Sequence, residues 1–169
     1  MKKILDFYNE VKNINYGWHD KDGKVHENLK DYRELYVLSD ENTVLRDNHA
    51  VCWEMCEIQR NFFNKHNIEN KTIFAYLQNS INNACHTFSV FTLNNKWYWF
   101  EASWINKKGI HEFNSLEDIL EYYRNNFKDF AKTEYKKEDL LFFEYYNIKI
   151  GMNTDEFYNH CLNSKPIKK

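Results

Sequence analysis

The sequence predicts an α+β fold in one domain spanning 1–169, with a helix packed on an antiparallel β-sheet. Three observations carry this expectation. Val51, Met55, Ile58, Phe62 and Phe63 recur at helical spacing up to about Lys65. Two β-rich runs, His86–Leu93 and Lys96–Ser103, flank Asn94-Asn95, and Asn tolerates the positive φ of two-residue hairpin turns. Ser115, with Asp118 three residues later, opens a second amphipathic run through Leu116, Ile119, Leu120, Tyr123 and Phe127.

The remaining elements follow in chain order. Ile4, Leu5, Tyr8 and Val11 mark an amphipathic N-terminal helix. The stretch 15–32 reads as a loop or small hairpin turning at Asp22-Gly23. "DYRELYVLSDENTVLRDNHA" shows no clear period. Asp47 and Asn48 are N-cap types placed to start the 51–65 helix. "KTIFAYLQ" reads as a strand, and "EDLLFFEYYNIKI" as a strand with a helix as the alternative. "NTDEFYNHCLNS" closes the chain as a short helix capped by Asn153 or Thr154.

Composition narrows the function classes. Of the 169 residues 18% are aromatic, which favours a packed core over disorder. The net charge of −2 offers no basic face for nucleic acid or an anionic membrane. With 4 Gly there is no glycine-rich phosphate loop. The opening "MKKILDFYNEVKN" lacks an apolar run of signal-peptide length, and no stretch reaches the ~20 apolar residues of a membrane span. A cytoplasmic location is expected, with the 4 cysteines reduced.

The hairpin carries the chemistry. A turn centred on Asn94-Asn95 pairs Leu93 with Lys96, and so on to Phe88 with Glu101 and His86 with Ser103. His86 and Glu101 then share a sheet face as diagonal neighbours about 7–8 Å apart at the backbone. A carboxylate that fixes a histidine tautomer is the orienting half of a nucleophilic triad. Cys52 falls in the first turn of the 51–65 helix, where free amides and the macrodipole favour negative charge. The same amides suit an oxyanion.

"AVCWEM" resembles the G-x-C-W-[DE] nucleophile motif of the transglutaminase-like superfamily, and "CHTFSVFTLNNKWYWFEASW" resembles its histidine strand and D-x-[ST]-W acid strand. The order of the three landmarks also agrees, across residues 47–104. The resemblance implies a papain/transglutaminase-like fold with a nucleophile helix on an antiparallel sheet. It implies a Cys52-His86-Glu101 triad and cysteine-dependent acyl transfer of peptidase, deamidase or transamidase type on a protein or peptide amide. Ala50 stands where the motif has glycine, glutamate where it has the commoner aspartate, and no upstream glutamine completes an oxyanion hole.

Trp53, Trp104 and His49 are candidate cleft walls by their nearness to the triad positions, and most of the other histidines read as surface or turn residues. Cys56, one helical turn from Cys52, reads as core. Cys85 beside His86 raises zinc as an alternative, but adjacent strand residues point to opposite faces and cannot share a tetrahedron easily. No metal and no cofactor is expected. The competing reading is a binding or structural module that keeps the fold without turnover.

Overall fold

Both central residues of the Asn94-Asn95 turn adopt positive φ, 51° and 59°, and the strands they join lie inside a six-stranded sheet. The structure is a computed structural model that describes residues 1–78 and 84–167. In chain order it contains α1 (Lys2–Val11), β1 (Asn15–Tyr16), β2 (Trp18–His19), β3 (Val25–His26), α2 (Tyr32–Leu35) and α3 (Glu41–Asp47). Next come β4 (His49–Ala50), α4 (Cys52–Lys65), β5 (Asn70–Leu77), β6 (Cys85–Leu93) and β7 (Lys96–Glu101). The chain ends with β8 (Gly109–Phe113), α5 (Leu116–Asn126), α6 (Lys128–Ala131), β9 (Leu140–Tyr145), α7 (Thr154–Leu162) and β10 (Lys165–Pro166). The main sheet runs β10-β9-β5-β6-β7-β8, antiparallel throughout. β2 and β3 form the small hairpin expected around Asp22-Gly23, and β1 pairs in parallel with β4.

Both faces of the sheet are covered. Ile73, Ala75, Phe88, Val90 and Trp99 pack under Ile119, Leu120, Tyr123 and Phe127 of the α5–α6 segment. On the other face Phe91, Tyr98 and Phe100 meet α1 and α4 through Ile4, Phe7, Met55, Ile58 and Phe63. Trp53, Cys56, Phe74 and Tyr145 pack with Phe157 and Cys161 of α7. Burying side chains of this size contributes about 1.5–3 kcal/mol each. The aromatic content is therefore spent on two cores, one on each side of the sheet.

Several expectations need correction. Asp47 and Asn48 do not cap α4; they end α3, with Asn48 in the left-handed conformation (φ 54°) that closes a helix. Val51 occupies the cap position of α4, and its amide donates to the Glu54 carboxylate at 3.1 Å. A side-chain reach-back from Glu54 thus replaces the usual polar cap. In α1 the buried stripe is Ile4, Phe7 and Val11, while Leu5 points to solvent. The strand expected in "EDLLFFEYYNIKI", by contrast, is present over Leu140–Tyr145, inserted between β5 and β10. His19 is buried rather than a surface residue, its Nε2 3.1 Å from Asp47 Oδ2. Among the described residues, no helix is long and apolar enough to cross a membrane.

Candidate active site

The β6–β7 register pairs Leu93 with Lys96 and continues to Ser89 with Phe100, so His86 and Glu101 fall on one face as the turn geometry requires. They meet: His86 Nε2 lies 3.0 Å from Glu101 Oε2, and both side chains are buried. The other carboxylate oxygen, Oε1, accepts the backbone amides of Ser103 at 2.7 Å and Trp104 at 2.8 Å. An ionised carboxylate only accepts, so the proton of this pair sits on His86 Nε2. Nδ1 is then the nitrogen free for chemistry, and it makes no hydrogen bond of ordinary geometry among the described residues.

Electrostatics support the pair. Burial alone would raise the Glu101 pKa, but the charge and hydrogen bond of His86 and the two amides outweigh it and hold the value below the ordinary carboxylate range. Burial alone would lower the His86 pKa, yet the negative charges of Glu101 and Cys52, with the hydrogen bond to Glu101, raise it above its ordinary value. A buried imidazolium fixed by a carboxylate can stabilise negative charge on a neighbouring sulfur.

Cys52 supplies that sulfur. It is the first residue of α4 and is partly exposed, lining the same cleft as His86, Trp53 and Trp104. The cleft opens at the start of β6. There Cys85 packs with the α4–α7 core, while the ring of His86 lies 4.9 Å from that of Phe130. Cys85 also lines the cleft, with its Sγ 2.8 Å from the Tyr158 hydroxyl. Trp104 contacts the His86 ring edge-on at 6.1 Å. Trp53 stacks on Phe157 at 3.9 Å and forms a floor more than a wall.

His49 is not a cleft wall. Its Nδ1 lies 2.7 Å from the Asp47 carbonyl oxygen and its Nε2 3.1 Å from Glu27 Oε1, with the ring packed over Gly17. The residues that do complete the cleft are Tyr16, Leu29, Tyr32, Phe130 and Tyr158. Tyr16, Leu29, Tyr32 and Phe130 come from short or irregular segments, while Tyr158 comes from α7. Tyr16 is brought there by β1 pairing with β4, just before Cys52. Burial and the charge of Cys52 raise its pKa, so the phenol stays protonated and remains a hydrogen-bond donor.

No family model matches the chain, and no curated protein matches it. Cys56 and Cys161 are fully buried, and all four thiols are free. Among the described residues, no group of three or more His, Cys, Asp or Glu is placed to hold a metal ion.

Behind Cys52, Glu54 is buried and accepts a hydrogen bond from the Tyr36 hydroxyl at 2.6 Å. Burial pushes its pKa up to about 7, against the hydrogen bonds of Tyr36, Ser39 and Val51. A native value above the unfolded one, near 4.5, means that the protonated acid favours the fold. This contribution is complete below about pH 4.5 and is lost as pH rises through about 7. Burial shifts Glu57 the same way. Glu54→Gln is therefore expected to flatten the fall in stability between those pH values by on the order of 2–3 kcal/mol. Urea unfolding across a pH series measures it; an unchanged slope would remove Glu54 from the account.

Proposed function

We propose that the chain is a cysteine-dependent acyl-transfer enzyme of papain/transglutaminase-like fold, acting on an amide, ester or thioester carbonyl. One observation carries the reading. Glu101 holds His86 through Nε2, leaving Nδ1 unbonded in a cleft that also holds the helix-start cysteine. His86 Nδ1 takes the Cys52 proton, and the sulfur attacks the carbonyl carbon. His86 then protonates the leaving group, and water or an amine cleaves the acyl-enzyme with His86 as base. The Cys52 amide, in a first turn without a helix carbonyl to bond, donates to the oxyanion. The Tyr16 phenol is the second donor, in place of the glutamine that the motif pattern lacks. A protein or peptide amide as the substrate, and a cytoplasmic setting, belong to this proposal.

Alkylation tests the central claim. Burial pushes the Cys85 thiol up to about 12 and raises Cys56 and Cys161 as well. Near pH 6, iodoacetamide is expected to label Cys52 at least about 100-fold faster than the other three, because only a thiolate reacts and only Cys52 has an imidazolium partner. Peptide mass spectrometry reads the rates. Equal, slow labelling at all four would favour a binding module without turnover.

Tyr16→Phe is expected to lower kcat about 10²-fold with KM little changed, since the phenol bonds only the developing oxyanion. An unchanged kcat would assign the second donor elsewhere.

A further inference from the structure

The acyl-transfer reading leaves the acyl group unspecified, and the cleft walls bear on it. The cleft around Cys52 encloses about 630 Å³, room for a small organic group. Its inner surface is made by Val51, Trp104 and Ala131, all buried, with Phe130 half-buried beside the His86 ring. Two large aliphatic side chains from separate segments flank the mouth: Leu29 is 64% and Ile105 74% exposed. Single exposed aliphatic residues are ordinary, but these two come from separate stretches of chain and line the one cleft that holds Cys52. The charged residues of the cleft, Asp129 and Lys132, are exposed and of opposite sign. They give the mouth no net preference for an ion.

We propose that the acyl group delivered to Cys52 is apolar, an aliphatic chain seated between Leu29, Ile105, Trp104 and Phe130, and not a charged one. This rests on the acyl-transfer reading above. Each methylene withdrawn from water into such walls favours binding about three- to fourfold. A carboxylate seated among the same four side chains would lose its water to groups that carry no charge. With a thioester donor, Cys52 Sγ bonds the carbonyl carbon and the donor's carbonyl–sulfur bond breaks. The leaving thiolate takes its proton from His86, and water or an amine later cleaves the enzyme thioester.

The test uses the full chain with N-acetylcysteamine thioesters carrying acetyl, butyryl, hexanoyl and succinyl groups. Acyl-enzyme on Cys52 is read by peptide mass, and kcat/KM by thiol release. The expected result is a gain of about three- to fourfold per methylene from acetyl to hexanoyl, with succinyl at least about tenfold below hexanoyl. Ile105→Asp and Leu29→Asp, both at exposed positions outside the cores, are each expected to reduce the hexanoyl-to-acetyl ratio about threefold or more. A flat ladder, a succinyl rate equal to hexanoyl, or an unchanged ratio in both variants, with Cys52 acylated, overturns the apolar acyl group and leaves acyl transfer standing. No acylation of Cys52 by any probe overturns both.

Discussion

Cys52→Ala is expected to remove acyl transfer altogether, a loss on the order of 10⁴–10⁶ in kcat, because no other group can form the covalent intermediate at that position. The fold should survive. The substitution deletes one sulfur at a partly exposed helix-start position, and alanine is the best helix former. A cost below about 1 kcal/mol corresponds to a Tm shift within roughly 2–4 °C at this chain length. Turnover and thermal unfolding of the same preparation decide the matter. Turnover that persists in Cys52→Ala but vanishes in Cys85→Ala would move the nucleophile to the other cleft thiol. Turnover that persists in both would end the cysteine mechanism.

How much of this was legible before the structure depends on the kind of signal each element carries. The hairpin was readable because its turn, Asn94-Asn95, needs two positive φ values that few residues accept, and a two-residue loop fixes every pair behind it. That register put His86 and Glu101 on one face without any tertiary information. The α4 helix was readable from its apolar repeat, but its start was not. Asp47 and Asn48 are cap-forming types that serve the end of the preceding helix. Such residues favour both helix ends, and a seven-residue helix with only Val44 buried leaves no periodic trace. Leu140–Tyr145 reads as the strand it forms, but with a helix as the alternative, because it is an inner strand of the sheet and its apolar residues do not alternate.

The site divides along the same line. Cys52, His86 and Glu101 sit on long regular elements, whose periods position side chains in advance. Apart from Tyr158 on α7, the walls that complete the cleft do not. Phe130 comes from a four-residue helix, and Tyr16 from a two-residue strand. Their place depends on long-range pairing, such as β1 with β4, which no local pattern encodes. His49 shows the opposite error: closeness to Cys52 in sequence did not bring it to the cleft, because Asp47 and Glu27 hold its ring elsewhere.

Glu101→Gln is the sharper test of the triad, since it preserves shape and changes only what the group can donate and accept. In the wild type, Oε1 takes the Ser103 and Trp104 amides and Oε2 faces His86 Nε2. A carboxamide must keep its oxygen on the two amides, which directs its NH₂ at His86. Nε2 then has to accept, the proton moves to Nδ1, and the nitrogen facing the cleft is no longer a base. The negative charge that sustained the imidazolium is also gone, so burial dominates and the His86 pKa falls. Turnover is expected to drop by up to about 10⁴-fold, the cost of the wrong tautomer in such triads. Alkylation of Cys52 should shift to higher pH, because its imidazolium partner is lost at lower pH than in the wild type. Iodoacetamide rates from pH 5 to 10, read at the Cys52 peptide in both proteins, test this independently of any substrate. Superimposable profiles would mean that Glu101 supports the loop at Ser103 and Trp104 and leaves the reactivity of Cys52 untouched.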